Sequence, residues 1–132
     1  MSLNVLGLST TDKGVGHWRW QRLSAVGLAL LMPWFLLSLL SLGNLNFNSI
    51  TAWIAAPIHA ALLSLLVLTA TYHSQLGLQV VVEDYVANQR VMLVSMRLIN
   101  LALLLLGALG VFAVIRIALT YTPAIHAVME LN

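Results

Sequence analysis

The sequence predicts an all-α integral membrane protein with three transmembrane helices, and three observations predict it. The first is composition: of 132 residues, 61% are apolar and only 8% are charged, against roughly 25% charged in an ordinary soluble domain. With a mean hydropathy of +0.95, the chain has too few polar side chains to cover a globule of its size in water. A soluble globular enzyme is excluded. The second is charge distribution: Asp12, Lys13, Arg19, Arg22, Glu83, Asp84, Arg90, Arg97, Arg116 and Glu130 are the ten charges, and sixty consecutive residues between Arg22 and Glu83 hold none. The third is that apolar runs recur near the roughly 20 residues that a helix needs to cross a bilayer core of about 30 Å. Helices are the spanning form that satisfies every backbone amide within one segment.

Residues 1–22 carry Asp12, Lys13, Arg19 and Arg22 and no apolar core, so they read as a cytoplasmic N-terminal segment. Residues 23–132 read as a three-helix transmembrane unit. Its first run, 23–42, is twenty residues, longer than the roughly 7–15 of a signal-peptide core, and is expected to be a retained span. Gly43 to Ala52 is rich in turn and capping types, among them Asn44, Asn46, Asn48 and Ser49, and is expected to be a short uncharged outer loop. Span two, 53–82, opens on the interfacial aromatic Trp53 with Pro57 near its first turn. At thirty residues it is longer than a bilayer requires and should tilt or project. Glu83 to Arg97 is expected to be a polar connector. Span three, 98–118, is charge-free from Leu98 to Ile115, and Pro123 should stop the helix soon afterwards.

Five of the six basic residues, Lys13, Arg19, Arg22, Arg90 and Arg97, fall on one side of a three-crossing chain. By the positive-inside rule that side is cytoplasmic, which leaves the C-terminus outside. The sequence pI near 9.5 rests on too few groups to form the clustered basic face that nucleic acid requires. There is no cysteine, hence no disulfide, no thiolate nucleophile and no means for this chain alone to hold an iron–sulfur cluster. Three helices of this size enclose little volume, so the chain should pack into a larger bundle.

Ionisable groups inside a span are functional candidates. Span two carries His59 and His73 and leads into Asp84 and Tyr85. Eleven residues separate His73 from Asp84, about 20° past three full turns and about 16 Å along a helix, so both share one face. An imidazole without cysteine or a nearby carboxylate suits zinc poorly and suits the axial position of a haem. It equally suits a hydrogen bond to a neighbouring helix. The Tyr85 phenol is a donor for a quinone carbonyl, and Asp84 can orient it or relay a proton. His59 lies fourteen residues before His73, about 21 Å away and about 40° short of four turns. That spacing fits either a second haem ligand or an interfacial histidine; the first and third spans hold no matching histidine. His126 reads as solvated in the outer tail. The segment His17–Arg22 interleaves indoles and guanidinium groups before a span, which serves interfacial anchoring or charge-assisted hydrogen bonds from Arg22 or His17 to haem propionates.

With these residues in view, the chain resembles the smaller hydrophobic membrane anchor of bacterial succinate dehydrogenase, respiratory complex II. The resemblance rests on the basic segment with His17 and Arg22, the three spans, and Tyr72-His73-Ser74-Gln75-Leu76-Gly77 followed by Glu83-Asp84-Tyr85-Val86. It implies that His73 ligates haem b, that Tyr85 contacts ubiquinone within a polar network ordered by Asp84, and that Arg22 meets a haem propionate. It implies partners: a second membrane anchor of cytochrome b type that supplies the other haem ligand, an iron–sulfur subunit and a flavoprotein, set in a bacterial inner membrane. Such an anchor is not catalytic alone; within the complex, electrons pass from succinate to ubiquinone. His59 has no place in the pattern. Two readings of other classes stand beside it: a self-contained di-haem membrane cytochrome, and a structural subunit with no redox centre.

Overall fold

The computed structural model describes the backbone of residues 8–130 and the side chains of 14–121. The side chains of Asp12, Lys13, His126 and Glu130, and with them the expectation for His126, lie outside the described residues. The fold is all-helical, with α1 (Leu8–Leu40), α2 (Phe47–Ala55), α3 (Pro57–Tyr85) and α4 (Gln89–Glu130). Three stretches, Gly14–Leu40, Pro57–Tyr85 and Gln89–Tyr121, are long and apolar enough to cross a membrane. The protein is a multi-pass membrane protein with three spanning helices.

Helix α1 runs without a break from the basic segment into the apolar run. Beyond its end the chain turns at Gly43, whose φ of +66° lies in the left-handed region that glycine enters without steric strain. The expected loop from Gly43 to Ala52 is only partly a loop, because its second half winds into α2. The Asn46 side chain accepts from the Ser49 amide at 2.8 Å, satisfying one of the free donors that begin a helix. Thr51 donates its hydroxyl to the Phe47 carbonyl at 2.8 Å. The polar residues that looked like turn formers are a cap and self-bonded helical positions.

Pro57 then divides what the sequence reading took as one span from Trp53. A proline disfavours helical geometry in the residue before it, and Ala56 is extended at φ −65°, ψ 125°. Pro57 itself suits the first turn of the new helix. Helix α3 continues through Glu83, Asp84 and Tyr85, and Val86 closes it by donating its backbone N–H to the Val82 carbonyl at 3.0 Å. The side chain of Asn88 accepts from the amides of Arg90 at 3.0 Å and Val91 at 3.3 Å, starting α4. The expected polar connector from Glu83 to Arg97 is therefore three residues, Val86 to Asn88. Its charges sit on the helices, Glu83 and Asp84 in the last turn of α3, Arg90 in the first turn of α4 and Arg97 about two turns further on. Nor does Pro123 stop α4, which reaches Glu130. A proline inside a helix removes one donor at a local penalty of about 3 kcal/mol, and a 42-residue helix accommodates it.

The three long helices stand in a row. Helix α3 packs on α1 and on α4, α2 packs on α3 and α4, and no contact joins α1 to α4 among the described residues. Small residues permit the close approach: a side-chain carbon added at Gly110 would meet Val67 Cγ1 at 2.9 Å, and one at Gly107 would meet Thr71 Oγ1 at 3.1 Å. With lipid tails as apolar as leucine, such steric fit is what associates helices within a membrane. The outward leucines, Leu30 on α1 and Leu106 on α4 among them, stay exposed as surface for lipid or for other membrane helices.

Candidate functional site

Where α1 crosses α3, polar groups gather inside apolar surroundings. His17, Gln21 and Ser24 are spaced by four and three residues, which places them on one face of α1. On α3 they meet His73 and Gly77. Ser24 is 7% exposed. Its hydroxyl donates to the Gln21 carbonyl of its own helix at 3.0 Å, the usual way for a serine to satisfy its proton in lipid. The Nδ1 of His73 lies 3.0 Å from the same oxygen. The Gln21 carbonyl gives the hydroxyl proton an acceptor, which leaves the Ser24 oxygen able to accept the His73 Nδ1–H. The lone pair of the ring is then on Nε2, which has no hydrogen-bond partner among the described residues.

Beside this bond Trp20 packs edge-on against Tyr72, with ring centroids 6.2 Å apart. An apolar groove of about 510 Å³ runs between the helices, lined by Trp20, Leu23, Ser24, Leu65, Leu68 and Tyr72 among others. Two buried polar atoms of the α1 face, His17 Nε2 and Gln21 Oε1, have no hydrogen-bond partner among the described residues. An unpaired buried polar atom costs about 1–3 kcal/mol, so this face is suited to receiving polar groups from beyond the chain. The described residues hold no group of three or more His, Cys, Asp or Glu that could form a metal cluster. His73 and His59 are each held through Nδ1.

The other expected site residues are not drawn to it. Asp84 and Tyr85 sit on the last turn of α3, both exposed and Tyr85 by 84%. The continuous helix turns their spacing from His73 into about 16 and 18 Å of axial rise. Asp84 lies on the side of α3 that carries His73, about 20° round, and Tyr85 about 120° round. Neighbouring Glu83 accepts from the Gln79 side-chain amide at 2.8 Å. Arg22 is two residues from Ser24, hence about 160° round α1, and its guanidinium lies 5.0 Å from the centroid of the Trp18 ring, within cation–π range.

His59 has a different task. Its Nδ1–H donates to the Trp53 carbonyl at 2.9 Å. In an unbroken helix that carbonyl would receive the amide of the residue four positions on, which here is Pro57 and has none. The imidazole supplies the missing donor. It also stacks on Trp53, centroids 4.8 Å apart at 23°, and Trp34 of α1 completes the cluster, 5.8 Å from Trp53 and 6.1 Å from His59. Replacing His59 by Leu leaves the Trp53 carbonyl unpaired and is expected to destabilise the chain by about 1–3 kcal/mol. Thermal denaturation in detergent checks this as a lowered midpoint.

Sequence reasoning passed over Ser24. The signal was the spacing of His17, Gln21 and Ser24, which puts the one buried serine of α1 on the polar face. Nothing in the sequence pairs it with a residue 49 positions away.

Three long apolar helices, two of them joined by a histidine–serine contact, define an all-helical membrane-spanning protein. The chain belongs to the succinate dehydrogenase/fumarate reductase transmembrane subunit family, whose pattern it matches over residues 3–117. It is 31% identical over 106 residues to the succinate dehydrogenase hydrophobic membrane anchor subunit of Rickettsia bellii, covering 78% of this chain and 85% of that one. It is 32% identical over 82 residues to the protein of the same name from Rickettsia conorii, covering 61% and 65%. The match to the Rickettsia typhi protein, also of that name, is 35% over 78 residues, covering 59% and 62%.

Proposed function

We propose that this chain is the hydrophobic membrane anchor of a bacterial succinate dehydrogenase, in which His73 provides one axial ligand to haem b and Tyr85 takes part in ubiquinone reduction. The observation that carries the reading is the His73 ring: half-buried well inside α3, fixed through Nδ1, with Nε2 unpartnered among the described residues. Haem b, when bound, supplies a one-electron carrier within the membrane. This chain's part is to hold its own imidazole in one tautomer and to keep the surroundings apolar through Leu23, Leu68 and Tyr72. A second membrane anchor supplies the other axial ligand. Residues 23–132 form the anchor and 1–22 its cytoplasmic segment, in which Arg22 reaches a haem propionate by leaving the Trp18 ring.

At the end of α3, the exposed Tyr85 phenol donates a hydrogen bond to a quinone carbonyl where the iron–sulfur subunit closes the pocket. Asp84, on the neighbouring position, orients the polar groups and relays a proton. A flavoprotein bound to the iron–sulfur subunit oxidises succinate. Against a self-contained di-haem cytochrome stands the lack of partner histidines within the chain, since residues 23–42 and 98–118 hold none. Purification of the complex through a tag on this chain tests the whole reading. Co-purification of a second anchor, an iron–sulfur subunit and a flavoprotein with succinate:ubiquinone reductase activity is expected, and isolation of this chain by itself would overturn it.

The distribution of basic residues supports an inner-membrane topology with the N-terminus on the cytoplasmic side and the C-terminus on the periplasmic side. Reporter fusions after Asn46, Asn88 and Asn132 should read outside, inside and outside. A cytoplasmic reading at Asn132 contradicts this topology.

A further inference from the structure

We infer that Ser24 is a positioning residue for the His73 ligand: by accepting the Nδ1–H it sets the tautomer, the ring plane and the electron-donating strength of the imidazole presented to haem iron. The inference rests on the proposal that His73 is an axial ligand, and extends it to a residue of another helix. Three features of the contact carry it. Ser24 is buried at 7% exposure, so water does not compete for the bond. Its own proton has an acceptor in the Gln21 carbonyl at 3.0 Å, which leaves the oxygen able to accept the Nδ1–H in the tautomer whose lone pair is on Nε2. The bond crosses from α1 to α3 at 3.0 Å, so ring orientation depends on the seating of one helix against the other.

A ligating histidine donates its second N–H to an acceptor that fixes the ring and raises its basicity. A more basic imidazole favours ferric over ferrous iron. Removal of the acceptor should therefore raise the haem midpoint potential and let the ring rotate. The alternative, that Ser24 merely joins two helices, has no effect on the haem beyond its amount.

The test uses the assembled complex from cells carrying Ser24→Ala, Ser24→Thr or His73→Leu in this chain, with haem measured against covalent or bound flavin. Ser24→Ala should retain a low-spin b-type haem, with a shifted low-temperature EPR signal, a more positive midpoint potential and haem affinity weakened by about 10–100-fold. Ser24→Thr keeps the hydroxyl and should restore all three. Should Ser24→Ala fail to assemble, Ser24→Cys preserves the volume with a weaker acceptor and should show the same upward shift. If His73→Leu loses the haem while the alanine or cysteine variant matches the parent in EPR, potential and haem retention, the inference about Ser24 is overturned and the ligand assignment stands. If His73→Leu keeps an unchanged haem, both fall.

Discussion

Replacing Tyr85 by Phe is expected to cut succinate:ubiquinone reductase activity by roughly 5- to 150-fold, the rate equivalent of about 1–3 kcal/mol for a quinone carbonyl left without its donor in a dry pocket. Succinate oxidation measured with a soluble electron acceptor should remain near the parent level. The two assays separate if, as proposed, the phenol acts at the quinone, beyond the steps that a soluble acceptor samples. Fold effects are expected to be small: Tyr85 is 84% exposed and terminates α3, so the lost hydroxyl leaves no buried partner in this chain. Equal loss of both activities would mark failed assembly, and an undiminished quinone reductase would remove Tyr85 from the site.

Much of the fold could be read from the sequence because membrane insertion imposes coarse rules. Charge-free runs of about 20 residues have one satisfactory conformation in lipid, so three spans follow from composition alone. The errors fell at the ends of helices, where composition is ambiguous. Asn46 and Asn48 are equally at home in a loop and at a helix start, and only the bond from Ser49 to Asn46 distinguishes them. Glu83, Asp84 and Arg90 are polar because helix ends reach water, a signal easily taken for a connector. Pro57 and Pro123 show the two fates of the same residue: the first begins a helix beside an extended Ala56, the second lies within α4.

The site divides in the same way. The shared face of His73 and Asp84 follows from helical periodicity, and α3 is continuous between them. The Ser24–His73 bond is tertiary, created by α1 crossing α3, and periodicity within one helix carries no information about it. The use of His59 required knowing that the Trp53 carbonyl faces a proline four residues on. That pattern was present in the sequence, in the spacing Trp53, Pro57 and His59.

The second large effect is expected at His73. Changing it to Leu should remove haem b from the complex, because iron would lose the imidazole that His73 is proposed to supply. The change should be tolerated by the helices themselves. Leucine suits a half-buried position in an apolar helix, and Ser24 keeps its bond to the Gln21 carbonyl, so no donor is orphaned. His59→Leu is the matched control: it alters a histidine of the same helix whose ring is committed to Trp53. It should lower stability and leave the haem in place. The reduced-minus-oxidised optical spectrum of the two variant complexes, normalised to flavin, is the most direct test. The b-type signal should be absent or strongly altered with His73→Leu and intact with His59→Leu; an unchanged signal without His73, together with its loss without His59, would contradict the assignment.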